Sequence, residues 1–277
     1  MYVIKPFDPW RSKLCTCPPK YSFNPYTGCQ HNCLYCYSTY IPNFRNLRLK
    51  KDLFRKIVRD LEKLPKYALI SMSNSSDPYP IVEKKYRITR KCLEIFKEYD
   101  IRLLIVTKGD TVVRDVDLMS EMNSAVSITI TCDDKTAKIL ESNAPTTEKR
   151  IDVIKVIKDA GIPTVLRLDP IMPFINEDAL WLIEKCEPDH VVSSTLKLRW
   201  DSFKRMVSAF PHLKTKYEEL YLEGEKVQNY FYLPKDYRIR LLSKVKEKCE
   251  ELGISYAFCR ENIEFKAKSC DGSHLIC

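Results

Sequence analysis

Short apolar, β-rich runs alternate with amphipathic stretches along most of this chain, and that alternation restricts its fold more than any other feature. The runs are YALISM (67–72), IRLLIVT (101–107), AVSITIT (125–131), PTVLRLD (163–169), HVVSSTL (190–196) and ISYAF (254–258). A further strand leading towards Cys29 brings the count to six or seven. Helical periodicity covers 47–64, 87–99, 112–122, 148–160, 178–186 and 237–252. Repeated βα units bury both kinds of apolar face only when a parallel sheet carries helices outside it. The pattern therefore predicts an α/β fold, with a barrel and a doubly wound sheet both open. With 44% hydrophobic residues in 277, the chain can build one large core, and no composition break marks a linker.

No run of about 18 apolar residues occurs, and MYVIKPFDPWRSK lacks the apolar segment of a signal peptide, so a cytoplasmic protein without membrane association is expected. Twelve cysteines make up only about 4% of the chain, too sparse for a disulfide scaffold, so reduced thiols and metal ligation are the expected use. The net charge of +9 admits a nucleic-acid partner. Its lysines and arginines are also mixed with carboxylates, as in LRLKKDLFRKIVRD, at spacings that suit solvated helix faces.

Chemistry concentrates in NPYTGCQHNCLYCYS, where Cys29, Cys33 and Cys36 are spaced CxxxCxxC. Three thiolates within eight residues can each hold one iron of a cubane cluster. With no fourth cysteine nearby, one iron keeps an open coordination site. The alternative is a zinc knuckle completed by His31, although Cys29, His31 and Cys33 would crowd one metal.

Ligands in parallel β/α folds gather at the carboxyl ends of the strands, and polar residues collect there in this chain. SNSSDPY follows 67–72, Thr107 and Lys108 end the next strand, Ser127, Thr129 and Thr131 alternate on another, and Arg167 and Asp169 end a further one. Period-two spacing aims each alternating set at one face. Serines and Asp169 in these places would equally cap the following helices. Buried lysine and arginine need partners, which favours a site for Lys108 and Arg167.

The cysteine motif with Tyr35 before its last thiol resembles the cluster loop of the radical S-adenosylmethionine superfamily. NPYTGC followed by YCYS is similar to its spore photoproduct lyase-like branch, from about Cys15 to His190. The resemblance implies an incomplete (β/α)6 barrel of the TIM type in a single domain over 1–277. Its core would span about 21–210, and a C-terminal extension over about 211–277 would carry a cysteine-rich tail. It implies a [4Fe–4S] cluster on Cys29, Cys33 and Cys36, whose open iron chelates S-adenosylmethionine and whose electron cleaves it to a 5′-deoxyadenosyl radical. An electron donor such as ferredoxin or flavodoxin is then a partner. Tyr35, Ser76, Asp77, Lys108 and Thr129 match positions that contact S-adenosylmethionine, with Ser127 as the alternative register to Thr129; Arg167 joins this polar wall. The superfamily's GGE segment is replaced by SNSSDPY. Ser75 stands where the dimer-repairing lyases carry a hydrogen-donating cysteine, so a related enzyme with a different substrate, nucleic acid among the candidates, is expected.

Cys92, Cys132, Cys186 and Cys249 fall on apolar stripes and read as core residues. Cys259, Cys270 and Cys277 lie in a polar tail. With Cys15 and Cys17 they offer enough thiolates for a second iron–sulfur cluster or a zinc, against the alternative of loose or disulfide-prone thiols. Two functions fit the whole: a radical enzyme, or a non-catalytic iron–sulfur or zinc protein that binds nucleic acid through a basic surface. Oligomeric state is not encoded in any of these features.

Overall fold

The computed structural model describes residues 2–7 and 12–276. Its centre is an eight-stranded sheet in the order β1 (Ile4–Pro6), β2 (Tyr21–Phe23), β3 (Ala68–Met72), β4 (Ile101–Thr107), β5 (Ser124–Thr129), β6 (Thr164–Ile171), β7 (His190–Thr195) and β8 (Ser255–Phe258). All ladders from β2 to β8 are parallel, and β1 runs antiparallel along the edge. Spatial order follows chain order throughout, which is the winding of a TIM-type barrel; a doubly wound sheet would reverse direction at a switch point. Among the described residues no ladder joins β1 to β8, so the barrel is partial.

All six β-rich runs become strands, because β-branched and apolar side chains packed on both faces suit a buried parallel sheet. Three helices differ from expectation, the one expected over 178–186 only in starting at Trp181. The helix expected over 47–64 starts at Leu53, since Arg48–Leu49 pairs with Tyr26–Thr27 and Asp52 turns the chain with φ +55°. The stretch 112–122 is a 3-10 turn, Asp110–Asp115, followed by the short helix Val116–Met119. Helices Trp200–Ala209 and Lys214–Leu222 and the hairpin Glu225–Val227 with Tyr230–Tyr232 were not anticipated. The helix Trp200–Ala209 does carry an apolar period, Trp200, Phe203, Met206 and Val207, whereas the tyrosines and charges of Lys214–Leu222 and the hairpin follow none. Among the described residues no helix is long and apolar enough to cross a membrane.

The main core lies between the sheet and its helices, and Cys92, Cys132, Cys186 and Cys249 belong to it. A second, smaller cluster joins Leu69, Leu104 and Ala125 to Ile276. These three strand residues alternate with those facing the helices, so the tail packs against the inner face of the sheet. Gly272 permits this insertion: its φ of +85° is left-handed, and a side chain there would overlap Val165. The buried pair of Lys20 and Asp271 ties the tail to the segment entering β2.

Candidate functional site

A cavity of about 820 Å³ opens at the carboxyl ends of the parallel strands. The loop after β3 brings Ser73 to Asp77, and β4 brings Thr107 and Lys108. Thr129, Arg167, Asp169, Ser194 and Thr195 line it from the following strands, and Cys259 lines it just beyond β8. Strand-end polarity therefore does converge on one mouth.

Cys29, Cys33 and Cys36 line the same cavity. Their loop is fixed by its backbone. Cys29 N donates to Phe44 O at 2.8 Å and Leu34 N to Leu140 O at 2.8 Å. Gly28 starts the loop with φ +86°, where a Cβ would overlap the carbonyl of Asn46. Arg205 closes the far side, donating to Leu34 O and Cys36 O at 2.8 Å each and to Asp201 at 2.9 Å. Burial raises all three thiol pKa values, that of Cys29 to about 11, so metal binding here would release protons.

His31 is not poised as a fourth ligand. Its Nε2 lies 3.0 Å from Asp77 Oδ2 and its Nδ1 3.4 Å from the carbonyl of Asn143. Burial opposes the charged ring, but the Asp77 carboxylate prevails and raises its pKa. Among the described residues no three His, Cys, Asp or Glu side chains are gathered around one metal-sized position. Three thiols on one loop that line the cavity fit a cubane, which brings its own sulfide and leaves one iron open.

Tyr35, Ser76, Asp77, Lys108, Thr129 and Arg167 all line the cavity. Ser127 does not. It lies two residues deeper in β5, roughly 6.6 Å along the strand, and its fully buried hydroxyl has no partner among the described residues. Asp77 is held as a hub that accepts from Thr107 Oγ1 and Lys108 N at 2.7 Å and from Tyr79 N at 2.8 Å. Ser76 Oγ donates to Tyr26 O at 3.0 Å. Arg167 donates to Asp169 at 2.7 Å, and this partner outweighs burial in keeping Asp169 ionised.

One group escaped sequence reasoning. Glu141, fully buried, accepts from Tyr35 OH and from Arg150 Nη1 at 2.6 Å, and lies 3.4 Å from Lys108 Nζ. Burial penalises its charge, but Arg150 and Lys108 hold its pKa down at about 2. It thereby fixes Tyr35 and Lys108, whose ammonium lies 5.7 Å from the Tyr35 ring centre. Neither Glu141 nor Arg150 carries a sequence signal that separates it from a solvated charge.

Cys15, Cys17, Cys259 and Cys270 also line the cavity, and Cys270 donates to Cys17 with the sulfurs 3.2 Å apart. Hydrogen bonds from Cys15 and Cys270 lower the Cys17 pKa to about 3. Cys277 lies outside the described residues.

The family model of the Radical SAM superfamily matches residues 23–185. An uncharacterized protein of Methanocaldococcus jannaschii is 34% identical over 177 residues, covering 61% of this chain and 66% of that protein. This chain thus spans just under two thirds of that relative. One from Mycobacterium tuberculosis is 24% identical over 254 residues, covering 82% and 73%. Among solved structures, spore photoproduct lyase complexed with dinucleoside spore photoproduct matches with a TM-score of 0.66 at 15% identity, over 86% of this chain and 75% of that one. A mutant of that lyase with bound AdoMet matches with a TM-score of 0.67 at 16% identity, over 89% and 76%. These likenesses are of fold.

Proposed function

Because the chain belongs to the radical S-adenosylmethionine superfamily, we propose that Cys29, Cys33 and Cys36 hold a [4Fe–4S] cluster beside bound S-adenosylmethionine, and that the enzyme acts on nucleic acid. When bound, the cluster and cofactor supply a 5′-deoxyadenosyl radical for hydrogen abstraction.

The protein's part is positioning. Lys108, held by Glu141 at 3.4 Å, would offer its ammonium to the cofactor's carboxylate. Tyr35 and Thr129, which line the same cavity, would help hold the cofactor, and the Asp77 hub keeps the loop after β3 in register with β4. Ser76 and Arg167 complete the polar wall. Reduced ferredoxin or flavodoxin donates the electron.

The observation that carries the substrate class is the charge of the wall: nine lysines and arginines line the cavity against three aspartates. A polyanion gains from such a surface, and it is drawn in by long-range attraction. Anaerobic reconstitution with dithionite, S-adenosylmethionine and DNA or RNA oligonucleotides tests the reading. It predicts 5′-deoxyadenosine, formed faster when a nucleic acid is present. Cofactor cleavage without nucleic-acid binding would overturn the substrate class, and absence of cleavage would overturn the reaction.

A further inference from the structure

The eleven described cysteines divide cleanly: four are packed in the main apolar core and seven line the cavity. The cluster loop accounts for three of the seven. Cys15, Cys17, Cys259 and Cys270 remain, and they belong to neither apolar cluster. Hydrophobic packing does not explain them.

These four thiols come from three segments far apart in the chain, and each segment is separately fixed. Lys20 and Asp271, with side chains 3% and 6% exposed, lock the strand entry after Cys17 to the residue after Cys270. Asp271 also accepts from Ser273 N at 3.1 Å and Ser273 Oγ at 2.6 Å, and Gly272 makes the turn that no side chain would allow. Cys259 N donates to Ser193 O at 2.8 Å, extending the β7–β8 ladder to the cavity rim. Lys197 Nζ holds the Cys259 carbonyl at 3.3 Å. A buried ion pair is weak evidence for stability but good evidence for placement.

We infer that Cys15, Cys17, Cys259 and Cys270 bind a second iron–sulfur cluster in the cavity wall. One disulfide would use two of the four thiols and leave two unexplained. Four thiolates are the ligand count of a zinc and of a cluster alike, and Cys17 and Cys270 already stand with their sulfurs 3.2 Å apart. A cluster is inferred over zinc because the four thiols line the same cavity as Cys29, Cys33 and Cys36. Ligation joins the N-terminal segment, β8 and the tail, so its free energy adds to that of folding.

The test does not depend on the reaction. A Cys29→Ala/Cys33→Ala/Cys36→Ala protein, reconstituted anaerobically with iron and sulfide, is expected to keep iron and acid-labile sulfide in equal amounts. The content should be roughly a third to a half of wild type, depending on cluster size. Adding Cys17→Ala and Cys270→Ala should bring both to background. Should the triple variant fail to fold, Cys17→Ser/Cys270→Ser with the cluster loop intact gives the complementary loss of iron from wild type. Wild-type iron sufficient for one cluster only, zinc in place of iron and sulfide, or a Cys17–Cys270 disulfide found by mass mapping of the reconstituted protein would each overturn the inference.

Discussion

Arg205 Nη2 donates to the carbonyl of Cys36 at 2.8 Å while its Nε donates to Leu34 O at the same distance, so the helix Trp200–Ala209 grips the cluster loop through one side chain. One acceptor is the carbonyl of Cys36 itself and the other that of Leu34, next to Cys33, on a loop that has no helix or strand of its own. Hydrogen bonds from a charged donor are worth about 1.5–3 kcal/mol each. Arg205→Ala should therefore leave the fold but loosen the cluster, with iron lost to a chelator at least about tenfold faster than from wild type. Arg205→Lys should not restore retention, because a single ammonium cannot supply the planar fork. Unchanged iron loss in Arg205→Ala would show that the grip is incidental.

Glu141 offers a pH test of the buried network. Its folded pKa is held down at about 2 by Arg150 and Lys108 against the opposing effect of burial, whereas an unfolded glutamate titrates near 4.3. A depressed carboxylate stabilises the fold above its unfolded pKa and loses that contribution as pH falls through the folded one. The contribution is about 3 kcal/mol at neutral pH. Glu141→Gln should cost about 3–5 kcal/mol at pH 7, since Arg150 is left buried without its partner. Urea unfolding should show the gap between wild type and variant narrowing from pH 4.3 towards 2. A gap that stays constant over that window would contradict the assignment.

Ile276 tests the tail. It packs with Leu69, Leu104 and Ala125 on the inner face of the sheet. Ile276→Ala removes buried apolar volume and should cost about 2–5 kcal/mol. A denaturation midpoint equal to wild type would mean that the tail only lies near the sheet.

Lys5 and Lys51 are exposed on the rim of the cavity. If they meet phosphates, replacing both by alanine should weaken oligonucleotide binding regardless of sequence. The slope of log affinity against log salt should also become shallower by roughly two. An unchanged slope would remove this rim from the binding face.

The strands were legible because β-branched runs have one physical use, and the cluster loop because three closely spaced thiols have few. Cys259 and Cys270 stood apart from core thiols such as Cys92 by their polar tail, and with Cys15 and Cys17 they line the cavity. Glu141, Arg150 and Arg205 were not. Each sits in a stretch whose charges look solvated, and only tertiary packing reveals which charge turns inward. Ser127 and Thr129 share a face by their spacing, but depth along β5 decides that only Thr129 lines the cavity. The hairpin after residue 222 was hidden because Tyr230 and Tyr232 are buried by neighbours far along the chain, not by a local period.

The central claim is that the loop at the cavity wall turns bound S-adenosylmethionine into a reactive species, and the most direct measurement is 5′-deoxyadenosine released under reducing, oxygen-free conditions. Reconstituted wild type should produce it with reductant present, and Cys33→Ala, folded by circular dichroism, should produce none above background. Equal release from Cys33→Ala, or none from fully reconstituted wild type, would contradict the account.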